Sequence, residues 1–147
     1  MDDLERGSSL RTVVERAVQI ADVRRHVAEG VWLRLQLIDL PEETPTRVPE
    51  DIERLWKAID ASSLIEVTRD LRIGTMQDHF DSRTPSRTPD KLFTKRIESL
   101  EEIIRKCDVL EGGPPMDAEL ALACADAREV YERVRARVRD YLLRHAK

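Results

Sequence analysis

The stretch TPDKLFTKRIESLEEIIRKCDVLEGGPP, Thr88 to Pro115, decides the fold. Phe93, Ile97, Leu100, Ile104 and Cys107 recur in it at steps of three and four residues, the repeat of one face of an α-helix. Thr88 before Pro89 predicts an N-cap and a first turn: a hydroxyl can accept from the orphan amides there, and proline costs nothing where no amide partner exists. Gly112-Gly113, followed by Pro114 and Pro115, predicts the stop.

The same signals divide the rest of the chain. All seven prolines fall in three places, Pro41, Pro45 and Pro49, then Pro85 and Pro89, then Pro114 and Pro115, and so mark connections rather than helix interiors. Between about Ser9 and Leu40, Leu10, Val14, Ala17, Ala21, Ala28, Val31, Leu35 and Ile38 line one helical face, with Gly30 the expected kink. A second helix opens at Pro49, with Glu50 and Asp51 at its positive end, and runs through Ile52, Leu55, Trp56, Ile59, Val67 and Leu71. The last, N-capped by Asp117, carries Leu120, Cys124, Ala127, Tyr131, Val134, Val138 and Tyr141 on one stripe. No segment alternates long enough to make a strand. The expectation is therefore one all-α domain over residues 1–147, an up-down four-helix bundle. The twice-repeated Ser-Arg-Thr-Pro at 82–89 reads as an exposed connection.

Composition agrees. With 147 residues the chain is long enough to bury one core, and 41% hydrophobic with 37% charged residues suits amphipathic helices with solvated outer faces. A net charge of −4 makes the whole molecule no electrostatic trap for nucleic acid, so any such binding must be local. Cys107 and Cys124 fall on apolar stripes without neighbouring ligands and are expected as buried thiols, as in a reducing cytosol. The acidic start and the lack of a long apolar run point to a cytoplasmic protein without membrane attachment.

Residue types exclude several helical-bundle chemistries. None of the three histidines follows a glutamate by three positions, as a dinuclear metal site requires. Glu101-Glu102 lacks the third acid of a magnesium-binding cluster, and there is no phosphate loop, nucleophile elbow or Cys-x-x-Cys pair. No metal or cofactor is expected. Two Arg/His pairs remain. Arg72 and His79 lie seven residues apart, nearly two turns, on one helix face and roughly 10 Å apart along the axis. A histidine that moves protons and a guanidinium that stabilises a phosphorane suffice for metal-independent RNA cleavage through the 2′-hydroxyl. The bland alternative is an exposed helix end in which His79 touches Asp78 and Asp81. The second pair, Arg139 and His145, would diverge by about 120° around an ideal helix, and Arg144, His145 and Lys147 suit the negative helix end. His26, after Arg24 and Arg25, has no assigned role.

The run Asp78-His79-Phe80-Asp81-Ser82-Arg83, with Arg72 upstream, resembles the HEPN superfamily of helical ribonucleases and nucleotide-binding proteins. It looks like the Glu-His-Phe-Asp-Glu-Arg run of some members, although Gly74-Thr75 stands where those members carry Arg-Asn. The resemblance implies His79 and Arg72 as catalytic residues and a site shared across a homodimer. It implies a bacterial defence or toxin-antitoxin role, as a metal-independent endoribonuclease or a degenerate RNA-binding relative, with a cognate antitoxin or other protein as partner. Arg83, and Arg135 and Arg139 on the basic half of the last helix, are the residues expected to contact RNA. The contrasting expectation is a non-catalytic adaptor or inhibitor acting by protein contact, for which Trp32 and Trp56 beside polar neighbours offer either an exposed surface or equally core positions.

Overall fold

The computed structural model describes residues 9–40, 48–59 and 67–145. Among them the chain is all-α: α1 (Leu10–Arg24), α2 (Val27–Leu35), α3 (Pro49–Ala58), α4 (Arg69–Ser82), α5 (Ile97–Glu111) and α6 (Ala118–His145), with no strand. Pro41 and Pro45 lie outside the described residues.

Among the described residues six helices stand where four were expected over the chain, and each extra boundary has a local cause. α1 begins at Ser9, whose hydroxyl accepts from the Thr12 amide. It ends at Arg25, which adopts φ 59°. The His26 amide then donates back to the Ala21 carbonyl at 2.9 Å and the Arg25 amide to that of Asp22 at 3.2 Å, the paired bonds of a left-handed C-terminal cap. The break thus falls at Arg25, not at Gly30, which sits inside α2. It resets the helical register, leaving Ala28 exposed while Val31, Trp32, Leu33 and Leu35 are buried. A β-carbon in this conformation costs about 1 kcal/mol, so Arg25→Gly should raise stability by up to about that amount in a denaturant titration. A loss of stability would mean that the Arg25 side chain contributes more than the strain it bears.

The helix expected to run on from Pro49 stops at Ala58, and α4 has its own cap, Thr68, whose hydroxyl accepts from the Leu71 amide. Similarly, Thr88 does not cap a helix. Its hydroxyl donates to the Asp126 carboxylate, and α5 starts only at Ile97. Residues 83–96 instead form an irregular strap held by backbone bonds: Phe93 N to Arg83 O, Leu40 N to Thr94 O, and Ile97 N to Gln36 O at 2.7 Å. The Asp39 carboxylate accepts from the Arg96 amide, the first cause holding its pKa below the usual range. At Asp117 expectation and structure agree: its carboxylate accepts from the Leu120 amide at 2.7 Å.

α2 lies between two apolar clusters. Trp32 and Leu33 join the larger one, with α1, α5 and α6, around Val14, Leu100, Val130 and Val134. Val31 and Leu35 join the smaller one, with Ile52 on α3 and Met76 and Phe80 on α4. Trp32 is fully buried and Trp56 packs partly buried against the smaller cluster. Cys107 and Cys124 are not thiols but a disulfide that ties α5 to α6, with Cα atoms 5.8 Å apart. No helix among the described residues is long and apolar enough to cross a membrane.

Candidate functional site: a histidine cleft at the end of the long helix

Arg72 and His79 share α4 but not a site. Arg72 donates through Nε and Nη2 to both carboxylate oxygens of Glu53 at 2.9 and 2.7 Å, and through Nη1 to the Val67 carbonyl. It clamps α4 to α3, and the Glu53 pKa is lowered chiefly by its hydrogen bond to Arg72. His79 is not at an exposed helix end: it is 1% exposed. Its Nδ1 accepts from Gln36 Nε2 at 3.1 Å, and burial pushes its pKa well below 6.5. A ring so held stays neutral, with its remaining proton on Nε2.

Arg83, expected to contact RNA, is 1% exposed. Its Nε and Nη2 donate to Gln36 Oε1 at 3.1 and 2.9 Å, and its Nη1 donates to the carbonyls of Phe93 and Lys95. Gln36 completes the set by donating to the Trp32 carbonyl as well as to His79. The chain Arg83–Gln36–His79 is therefore a buried polar joint between α2, α4 and the strap. Burial draws the Arg83 pKa down to about 10, still charged at neutral pH.

Arg135 and Arg139, also expected to contact RNA, lie on α6. Arg135 pairs with Glu132 at 3.5 Å on the surface, and Arg139 is exposed.

The other two histidines do converge. The cap that ends α1 turns His26 toward the last turns of α6. There the His26 and His145 ring centroids are 4.6 Å apart, with Tyr141 against both, at 5.8 Å from His26 and 4.7 Å from His145. His26 Nδ1 and the Tyr141 hydroxyl share a hydrogen bond at 2.8 Å. Burial raises the Tyr141 pKa, so the phenol keeps its proton; when it donates to Nδ1, His26 carries its own proton on Nε2. The His145 pKa is lowered, first by desolvation and then by the neighbouring His26, Arg24 and Arg144, which leaves a neutral ring able to accept a proton.

These rings open onto a cleft of about 620 Å³, lined also by Glu29, Arg133, Arg137, Asp140 and Arg144. Arg137 forms its floor: its guanidinium lies 3.9 Å from the Trp32 ring centroid and binds Glu29 on α2 and Asp78 on α4. Arg133 is held by Glu129 and by the carbonyls of Asp81 and Thr84. Arg133 and Arg137 are thus matched by Glu129, Glu29 and Asp78, and Arg144 is the third arginine of the lining. No three His, Cys, Asp or Glu side chains converge at metal-ligand spacing among the described residues. Sequence reading passes this site by: the Arg139–His145 spacing reads as the basic end of a helix, and nothing local ties His145 to His26. Neither the protein-family models nor the curated proteins nor the solved structures contain a match to this chain.

Proposed function

We propose that the chain is an RNA-directed helical protein that cleaves or binds RNA without a metal at the His26–His145 cleft; the HEPN resemblance rests on Arg72 and His79, whose partners are Glu53 and Gln36, and does not extend to this cleft. The up-down bundle arrangement belongs to the same reading, with α2 folded back on α1, Arg34 pairing with Asp22 at 2.6 Å, beside α4, α5 and α6. A single observation carries it: two imidazoles in edge contact, one positioned by a phenol, line an open cleft together with three arginines. His145 takes the proton from an RNA 2′-hydroxyl as that oxygen attacks the adjacent phosphorus. The bond from phosphorus to the 5′-oxygen breaks, and His26, acting in its imidazolium form with Nδ1–H donating to the Tyr141 hydroxyl oxygen, gives the leaving oxygen its other ring proton and ends as a neutral imidazole. The products are a 2′,3′-cyclic phosphate and a 5′-hydroxyl. Arg144 on the rim stabilises the negative charge gathered on the phosphate in the transition state.

The test is cleavage of single-stranded RNA in the presence of chelator, with the product ends identified. His26→Ala and His145→Ala should each slow cleavage on the order of a hundredfold, and Arg144→Ala should weaken RNA binding in a salt-dependent way. Arg72→Ala, at a residue that contacts Glu53 and Val67 and does not line the cleft, should leave the rate unchanged. Equal activity of wild type and both histidine variants would sink this assignment. A rate lost in Arg72→Ala with its fold intact would return the site to α4.

A further inference from the structure

α5 and α6 form an antiparallel hairpin whose far end extends beyond the other described helices. The reason lies in where α1 starts. The Leu10 amide donates to the Glu101 carboxylate at 3.1 Å, and Arg11 pairs with Glu98. The described part of α1 thus begins level with Glu101 and runs away from the tip. From there α5 continues to Glu111, about 15 Å further at helical rise. The disulfide between Cys107 and Cys124 ties the two helices together within this overhang.

The sequence of the overhang is not that of a solvated end. Leu110 lies seven residues after Ile103, which packs on the larger core cluster, and Leu120 lies seven before Ala127, which is inside it. Both therefore continue the core-facing stripes, and with Cys107 opposite Cys124 the antiparallel register brings them to the same level. Yet Leu110 is 41% and Leu120 36% exposed, and on the flanks Val109 is 77% and Leu122 40% exposed. Residues 108–122 hold four carboxylates, Asp108, Glu111, Asp117 and Glu119, and no basic side chain. Arg128, from below, pairs with only Asp108 and Glu111.

We propose that this tip docks a basic amphipathic helix of a protein partner, whose apolar stripe covers Leu110 and Leu120 as the third member of a three-helix layer. Its lysines or arginines face Asp117 and Glu119. A second copy of the chain fits poorly, because it would bring its own Asp117 and Glu119 against these, while Asp108 and Glu111 stay paired with Arg128. The disulfide pre-forms the surface, so little ordering of the hairpin opposes binding. The mode is helix-in-groove recognition, in which the apolar stripe gives affinity and the charges give selectivity.

The probe is a designed helical peptide of about eighteen residues with leucine on one face and lysine elsewhere, labelled for fluorescence anisotropy, beside its counterpart with glutamate for lysine. The full chain should bind the lysine peptide saturably and the glutamate peptide at least about tenfold more weakly. Leu110→Asn with Leu120→Asn should weaken the lysine peptide about tenfold at unchanged helicity, since both side chains are already exposed. Glu119→Lys should shift affinity toward the glutamate peptide. Absence of saturable binding, equal binding of the two peptides, or unchanged affinity in the double variant overturns the proposal. So does a wild-type dimer in light scattering that the double variant converts to monomer, since a second copy is then the occupant.

Discussion

Arg83→Ala should destabilise the protein by roughly 4 kcal/mol, the loss expected when several buried acceptors are deprived of a donor and a void is left. Arg83 is a buried cation answered by oxygens rather than by a carboxylate: Gln36 Oε1, Phe93 O and Lys95 O take its hydrogen bonds. Without the guanidinium those acceptors stay inside the protein with nothing to accept. Gln36 would also lose the contact that orients its amide toward His79. In thermal melts the shift should be about 12 °C for a chain of this size. Arg83→Met, which restores volume without donors, should recover only a minor part of it. Arg135→Ala, a surface change on α6, should move the midpoint by less than about 0.5 kcal/mol. A loss below about 1 kcal/mol for Arg83→Ala would mean that water replaces the guanidinium and that the strap does not depend on it.

The same residue explains where sequence reading of the fold stops short. In α6 every requirement is local: an N-capping aspartate, one apolar stripe and a basic end, all legible in the order of residues alone. The stripe of α5 is legible too, but its start is not. Thr88-Pro89 carries the marks of a helix N-terminus, and Phe93 continues the period. What overrides them is tertiary: Arg83 takes the carbonyls of Phe93 and Lys95, and the Thr88 hydroxyl goes to Asp126. Carbonyls spent on a distant guanidinium are not left to a helical turn. The division of the first helix at Arg25 has even less to announce it. The left-handed residue is not a glycine, and the glycine that invites a kink, Gly30, lies inside α2.

The candidate site stays hidden for a different reason. His79 is flanked by Asp78, Asp81 and Ser82, and polar neighbours suggest a solvated helix end. In the fold Thr75, Met76, His79 and Ser82 are buried together, a face too polar for an apolar-periodicity test to detect. Spacing along one helix can nominate Arg72 with His79, yet each finds its partner on another element, Glu53 and Gln36. His26 and His145, by contrast, come from opposite ends of the chain. No spacing rule joins them; the cap at Arg25 does.

Loss of the disulfide, by Cys107→Ala with Cys124→Ala or by reductant, should cost about 3 kcal/mol, from the loop entropy that a cross-link removes from the unfolded chain. The two cysteines are 17 residues apart, so the closed loop is short, and the effect should fall toward the lower part of the usual range. In a melt this is a fall of about 9 °C, seen for the wild type on adding reductant and absent in the double variant. The loss concentrates in the hairpin, where the other polar tie from α6 to the end of α5 is Arg128 with Asp108 and Glu111. Amide exchange should therefore speed up in residues 105–122 and not in the core around Val130 and Val134. Sequence reading places two thiols where the structure has a bonded pair. Thiol titration of the native protein decides between them: no reactive thiol before unfolding supports the bond. Two free thiols, with a melt indifferent to reductant, would leave the hairpin tip held by its salt bridges alone.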